Sequence, residues 1–207
     1  MDMKSKSNFK HYFVNSDHNE NDFFEFDFNL NNVDFKFKSC DDVFSKNQID
    51  EGSLLLINTI IKNKENYTGN ILDMCCGYGA IGVILSKFLN ATFDMCDINE
   101  LAVKLCNINA SKNSTNFDKI FVSDIWQNVQ KKYNHIVSNP PIKTGKDVLL
   151  RFINNAKDYL VENGTLTMVI KKNLGADSTK KYLTNLFGNC QVLKRDKGYY
   201  ILQSTNK

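Results

Sequence analysis

The 207 residues carry 26 Lys and Arg against 23 Asp and Glu, a net charge of +3, with 42% hydrophobic and 12% aromatic positions. That length and apolar content build one ordinary domain with a sizeable core and exclude a disordered or fibrous chain. The longest apolar runs, such as residues 53–61, are too short to cross a bilayer and residues 1–10 are polar, so no membrane partner is expected and the expected location is cytoplasmic.

Residues 23–38 alternate apolar and polar in two arms joined at Asn31-Asn32, a dipeptide that tolerates the positive φ of a two-residue turn. A β-hairpin follows, with Phe24, Phe26, Phe28 and Leu30 on one face of its first arm and Val33, Phe35 and Phe37 on one face of its second. So large an aromatic surface is expected to pack on the main body as a lid. From residue 50, Leu54, Ile57 and Ile61 recur at helical spacing.

Strands are then predicted at 70–75, 92–97, 119–123, 135–138 and 165–171, with helical stripes between most of them: Leu101, Leu105 and Ile108, then Leu149, Phe152, Ile153, Ala156 and Leu160. Strands alternating with helices imply right-handed βαβ units and helices on both sheet faces. Strands at about 190–195 and 199–204 are separated only by Asp196, Lys197 and Gly198, so they pair antiparallel. The expected fold is α/β: a Rossmann-like, seven-stranded, mostly parallel sheet with an antiparallel C-terminal hairpin, helices on both faces and an added N-terminal β-hairpin. Residues 1–48 are expected to form the extension and 49–207 the main domain.

Chemistry concentrates at strand ends. The run from Asp73 to Gly82, with Gly77 and Gly79 inside it, follows the first strand of the sheet and opens a helix, where α/β folds bind ligands. Asp97 ends the next strand, placed to accept hydrogen bonds from both hydroxyls of a ribose, and Asp124 ends the third. The fourth ends in Ser138-Asn139-Pro140-Pro141-Ile142, which contains both prolines of the chain. Each ring locks φ, and Pro141 also restricts Pro140. A rigid Asn-Pro-Pro suits reaction at a planar exocyclic amine: the Asn139 side-chain oxygen and the Pro140 carbonyl can hold the two amine hydrogens and direct the lone pair at an incoming group. The six cysteines form no C-x-x-C pair and have no His at ligand spacing, so no metal is expected. The slight basic excess permits nucleic-acid binding without demanding it.

On His11-Tyr12-Phe13, the segment 42–45 with Asp50 and Gly52, and the stretches 71–82, 97–103, 138–146 and 196–202, the chain resembles the small-subunit (16S) rRNA guanine-N2 methyltransferase family in its short, single-domain form. The resemblance implies a class I S-adenosylmethionine (SAM)-dependent N-methyltransferase, with small-subunit rRNA or the small ribosomal subunit as partner and a monomer as the default state. It implies cofactor contacts from Asp73, Cys75, Gly77, Gly79, Asp97, Ile98, Asn99, Asp124, Ile125 and Asn139, with Asp124 on the adenine amino group. Asn139, Pro140 and Pro141 become the catalytic segment. Ile142, Lys143 and Lys146 are expected on the base and RNA phosphates, with Phe44 and Ser45 over the pocket and Phe44 the stacking partner of the base.

Two departures stand out. Cys75 sits where many SAM-binding loops carry glycine, and Ile142 stands where related amine methyltransferases place an aromatic. The rivals are the same chemistry on a protein glutamine or a DNA adenine, whose enzymes normally end the Asn-Pro-Pro in that aromatic; a non-catalytic RNA-binding assembly factor; and a nicotinamide oxidoreductase, against which the closing hairpin and Asn-Pro-Pro speak.

Overall fold

The structure, a computed structural model, describes residues 23–43, 45, 47–142 and 145–207, with the Lys146 side chain set aside. His11, Tyr12, Phe13, Phe44, Lys143 and the Lys146 side chain therefore lie outside the described residues.

Two strands, β1 (Phe23–Leu30) and β2 (Val33–Cys40), form the N-terminal hairpin in register Phe26 to Phe37 and Phe28 to Phe35. Asn31 and Asn32 both take positive φ, 50° and 63°, as the two-residue turn requires. Phe35 and Phe37 are fully buried, and the hairpin docks on the body through two asparagines. The Asn109 amide accepts from Lys38 N at 2.7 Å and donates to Lys38 O at 2.9 Å, and Asn113 does the same for Lys36. A side-chain amide has both a donor and an acceptor, so it can pair a strand-edge peptide as another strand would.

The main sheet contains β3 (Gly69–Met74), β4 (Ala91–Asp97), β5 (Lys119–Val122), β6 (Tyr133–Ser138), β7 (Leu160–Lys171), β8 (Gln191–Asp196) and β9 (Tyr199–Thr205) in the order β5-β4-β3-β6-β7-β9-β8. Neighbours from β5 to β7 are parallel, and β9 is antiparallel to both β7 and β8. Helices α1 (Glu51–Lys62), α2 (Ala80–Phe88) and α3 (Glu100–Lys112) share one apolar cluster with the hairpin, while α4 (Lys146–Asn155) and α5 (Ala176–Phe187) share a second with Trp126, so both faces are covered. The chain runs outward from β3 through β4 to β5, then returns to β6 beside β3. That reversal opens a crevice at the strand C-termini, where Ser138 Oγ donates to Met74 O at 2.7 Å and braces the two strand ends.

Three details differ from expectation. In α1 the buried apolar face is Leu56, Ile57 and Ile60, with Leu54 and Ile61 only flanking it. In α3, Ile108 is 39% exposed and Cys106 and Asn109 are buried instead, because the docked hairpin turns that face inward. Leu160 opens β7 rather than closing a helix: Tyr133 pairs with Leu160, and the register then shifts to His135 with Thr165 past Asn163, which has φ 61°.

Candidate active site

A cavity of about 330 Å³ occupies the crevice, lined from the ends of β3, β4, β6 and β7, the start of α1 and the first residue of β9. Backbone strain collects on its wall: Ser45, Cys75 and Ile125 take positive φ of 58°, 61° and 52°, which is costly for a β-branched residue such as Ile125. Gly77 has φ 57°, and a Cβ placed on it meets nothing within 4 Å, so the backbone there borders open space. Gly79 differs: at φ 92° it opens α2, and a Cβ would lie 2.6 Å from Cys106 Sγ.

Asp97 lines the cavity with both oxygens anchored, Oδ2 accepting from Gly77 N at 2.9 Å and Oδ1 from Asn99 N at 3.0 Å. Burial pushes its carboxyl above the usual range, and the Asn99, Gly77 and Ile98 N–H groups pull it back. Asn99 also lines the cavity, but its Oδ1 caps α3 through Leu101 N and Ala102 N. Ile98, 39% exposed, and buried Ile125 give the wall two apolar surfaces. Cys75 replaces the expected glycine without closing the space. Burial, with Asp97 and Asp73 nearby, holds its thiol well above the ordinary value, which suits a neutral lining group and not a nucleophile.

Asp73 stands back from the cavity lining. It is wholly buried beneath the loop and is absent from the cavity wall; its Oδ2 accepts from Gly82 N at 2.9 Å, and burial pushes its carboxyl up to about 8. Gly82 lies in α2, so this bond ties the end of β3 to the helix that follows the glycine loop, while Oδ1 is buried with no hydrogen-bond partner among the described residues. Gly79 is likewise not among the residues that line the cavity. Asp124 lines the cavity but is already paired, accepting from Arg151 Nη2 at 2.9 Å.

On the far side Asn139 follows β6. Its Nδ2 donates to Ser53 Oγ at 2.9 Å and Asp50 Oδ2 at 3.1 Å, which leaves Oδ1 as the atom the cavity can use. The Pro140 carbonyl accepts from Ile142 N at 2.8 Å, so one of its two lone pairs is engaged. Pro141, Ile142 and Ser45 reach the cavity as expected. Tyr199, Lys171 and Leu174 complete this end, with Lys171 Nζ 5.3 Å from the Tyr199 ring centre. Asp50, Ser53, Arg151 and Tyr199 carried no role in the sequence reading. Only the Asp50–Ser53 cap had a local signal, since an Asp three residues before an amide inside a new helix is an N-cap.

Among the described residues, no cluster of three His, Cys, Asp or Glu is arranged to hold a metal, and no helix is long and apolar enough to cross a membrane. A parallel sheet closed by an antiparallel hairpin, with a glycine loop facing Asp97 and an Asn-Pro-Pro, defines the methyltransferase class, and the chain belongs to the methyltransferase small domain family, which it matches over residues 34–203. It is 41% identical over 180 residues to the Bacillus subtilis (strain 168) protein YbxB, covering 86% of this chain and 89% of that one. It is 35% identical to ribosomal RNA small subunit methyltransferase C of Buchnera aphidicola subsp. Schizaphis graminum, covering 81% of this chain and 49% of the relative. The chain thus spans about half the length of the methyltransferase C relatives it matches. The T. thermophilus 16S rRNA N2 G1207 methyltransferase, solved with AdoMet and guanosine, shares the fold at TM-score 0.80 and 23% identity, over 89% of this chain and 51% of that one.

Proposed function

We propose that the chain is a SAM-dependent methyltransferase acting on the exocyclic N2 amine of a guanine in small-subunit (16S) rRNA, with residues 49–207 as the catalytic unit and residues 1–48 as an extension. The observation that carries this is Asn139: a carboxamide at the end of β6 whose nitrogen is tied down, aiming its oxygen into a cavity whose other wall is Gly77 and Asp97.

The residues present fit the cofactor. Open space borders Gly77, Asp97 keeps a second lone pair on each anchored oxygen for ribose hydroxyls, and Ile98 and Ile125 offer apolar surfaces to an adenine. Carboxylates on the wall also suit a cationic ligand better than the pyrophosphate of a dinucleotide. SAM, when bound, supplies an electrophilic methyl group on a sulfonium.

The chain's own residues place the amine. Asn139 Oδ1 accepts one amine hydrogen and the free lone pair of the Pro140 carbonyl accepts the other, so the nitrogen lone pair is directed away from both. In solution that lone pair is shared with the base ring, and orienting it is where the rate gain arises. No strong base is required, because the proton leaves for solvent after transfer. Tyr199 offers a ring for the extruded base to lie against, a role the sequence reading gave to Phe44. Aliphatic Ile142 speaks against glutamine or adenine as the target, as set out above. Incubation with labelled SAM and small subunits, release factors or DNA tests the assignment: label in RNA supports it, and label confined to protein or DNA refutes the substrate.

A further inference from the structure

Asn139 can serve as an acceptor only if its carboxamide faces one way. The two ends of that group are nearly the same size, so shape alone does not choose between them; hydrogen bonds must. Asp50 Oδ2 lies 3.1 Å from Asn139 Nδ2 and also accepts from Ser53 N, so it meets the amide as an acceptor, which holds the nitrogen toward it and leaves the oxygen to the cavity. Ser53 Oγ, in a side chain that is almost fully buried, accepts the second amide hydrogen at 2.9 Å.

The pair is itself held in place. Asp50 Oδ2 also accepts from Ser53 N at 3.0 Å and so caps α1, whose Leu56, Ile57 and Ile60 are fully buried. Gly52 sits between them: a Cβ there would lie 2.9 Å from both Asp50 Oδ2 and the Tyr199 ring, so only glycine lets the cap settle against the site. Turned the other way, Asn139 would present N–H groups to the hydrogens of the amine and repel the substrate it should orient.

We propose that Asp50 and Ser53 are positioning residues that fix the Asn139 carboxamide with its oxygen toward the substrate amine, an inference that rests on the methyltransferase reading for the identity of that amine. The test removes the acceptors and then restores one. In D50A/S53A nothing on that side prefers the amide nitrogen, so Asn139 can turn over; turnover is expected to fall by about 10²-fold, the scale of losing one oriented polar group at a reacting centre, with SAM affinity near wild type because the Asp97 and Gly77 wall is untouched. S53A, which leaves the Asp50 cap intact, should show an intermediate loss. D50N is the conservative control: its amide oxygen can take the place of Oδ2, which accepts from both Ser53 N and Asn139 Nδ2, so the cap and most of the turnover should be kept.

A folded, SAM-binding D50A/S53A protein with wild-type turnover, or an S53A protein unchanged alongside it, overturns the proposal. An ¹⁵N–¹H spectrum of the Asn139 side-chain amide without substrate gives a reading independent of activity: both amide protons should be protected in wild type and in D50N, exposed in D50A/S53A and, in part, in S53A. Protection that persists in D50A/S53A refutes the positioning role, whereas protection as expected in a protein that methylates no amine refutes only the assigned activity.

Discussion

Asn139→Ala should separate chemistry from cofactor binding. The substitution removes Oδ1, one of two acceptors available to the amine, and also the Nδ2 bonds to Ser53 and Asp50. The structural loss is modest, because Asp50 Oδ2 keeps its bond from Ser53 N and Ser53 Oγ can turn to water, so stability should fall by about 1 to 2 kcal/mol. The chemical loss is larger: an oriented polar partner at a reacting centre is worth about 10² to 10³ in turnover, or about 2.7 to 4 kcal/mol. SAM affinity should change little, because the Asp97 and Gly77 side of the cavity is untouched. Single-turnover kinetics alongside calorimetric SAM titration measures both quantities. A variant that loses SAM affinity while keeping its single-turnover rate would refute the reasoning.

Further outcomes follow from the loop and the docked hairpin. Gly79→Ala forces a Cβ to 2.6 Å from Cys106 Sγ at φ 92°, and thermal melts should show a loss of about 1 to 3 kcal/mol with the fold retained. Asp73 has a folded value of about 8 against an ordinary 3.8, so between those values the folded chain holds a proton that the unfolded chain releases; its part of the stability is full at the acid end and declines as pH rises toward 8, by at most about 1.4 kcal/mol per pH unit. Asp73→Asn should flatten that slope in denaturant titrations run from pH 5 to 8, and an unchanged slope would show that Asp73 is not its source. Asn109→Ala leaves the Lys38 and Tyr78 backbone groups unpaired, so it should cost about 2 to 4 kcal/mol and speed proteolysis of the hairpin, read by mass spectrometry of the fragments.

Elements governed by local rules were legible from the residues. Alternation and the Asn31-Asn32 turn define the first hairpin, and a two-residue turn at Lys197 and Gly198, with φ 44° and 78°, closes the last. Cavity walls contributed by consecutive residues at strand ends, such as Asp97 to Asn99 and Asn139 to Ile142, were equally plain. What escaped the sequence depends on distant contacts. The inward face of α3 is set by the hairpin it carries, so periodicity selected Ile108 where Asn109 is buried. Asp73 sits in a ligand motif, yet only its bond from Gly82 N shows that it also ties the end of β3 to α2. The approach of Ser53 to Asn139 spans 86 positions, and no spacing rule reaches that far.

The most direct test of the central claim is the identity of the product. Small subunits or their RNA from a strain lacking the enzyme, treated with the protein and SAM, should yield N2-methylguanosine at one position when digested and analysed by mass spectrometry, and none with Asn139→Ala. Methyl groups at another atom of guanine, or on adenine, would contradict the account, as would N2-methylguanosine formed equally well without the Asn139 side chain.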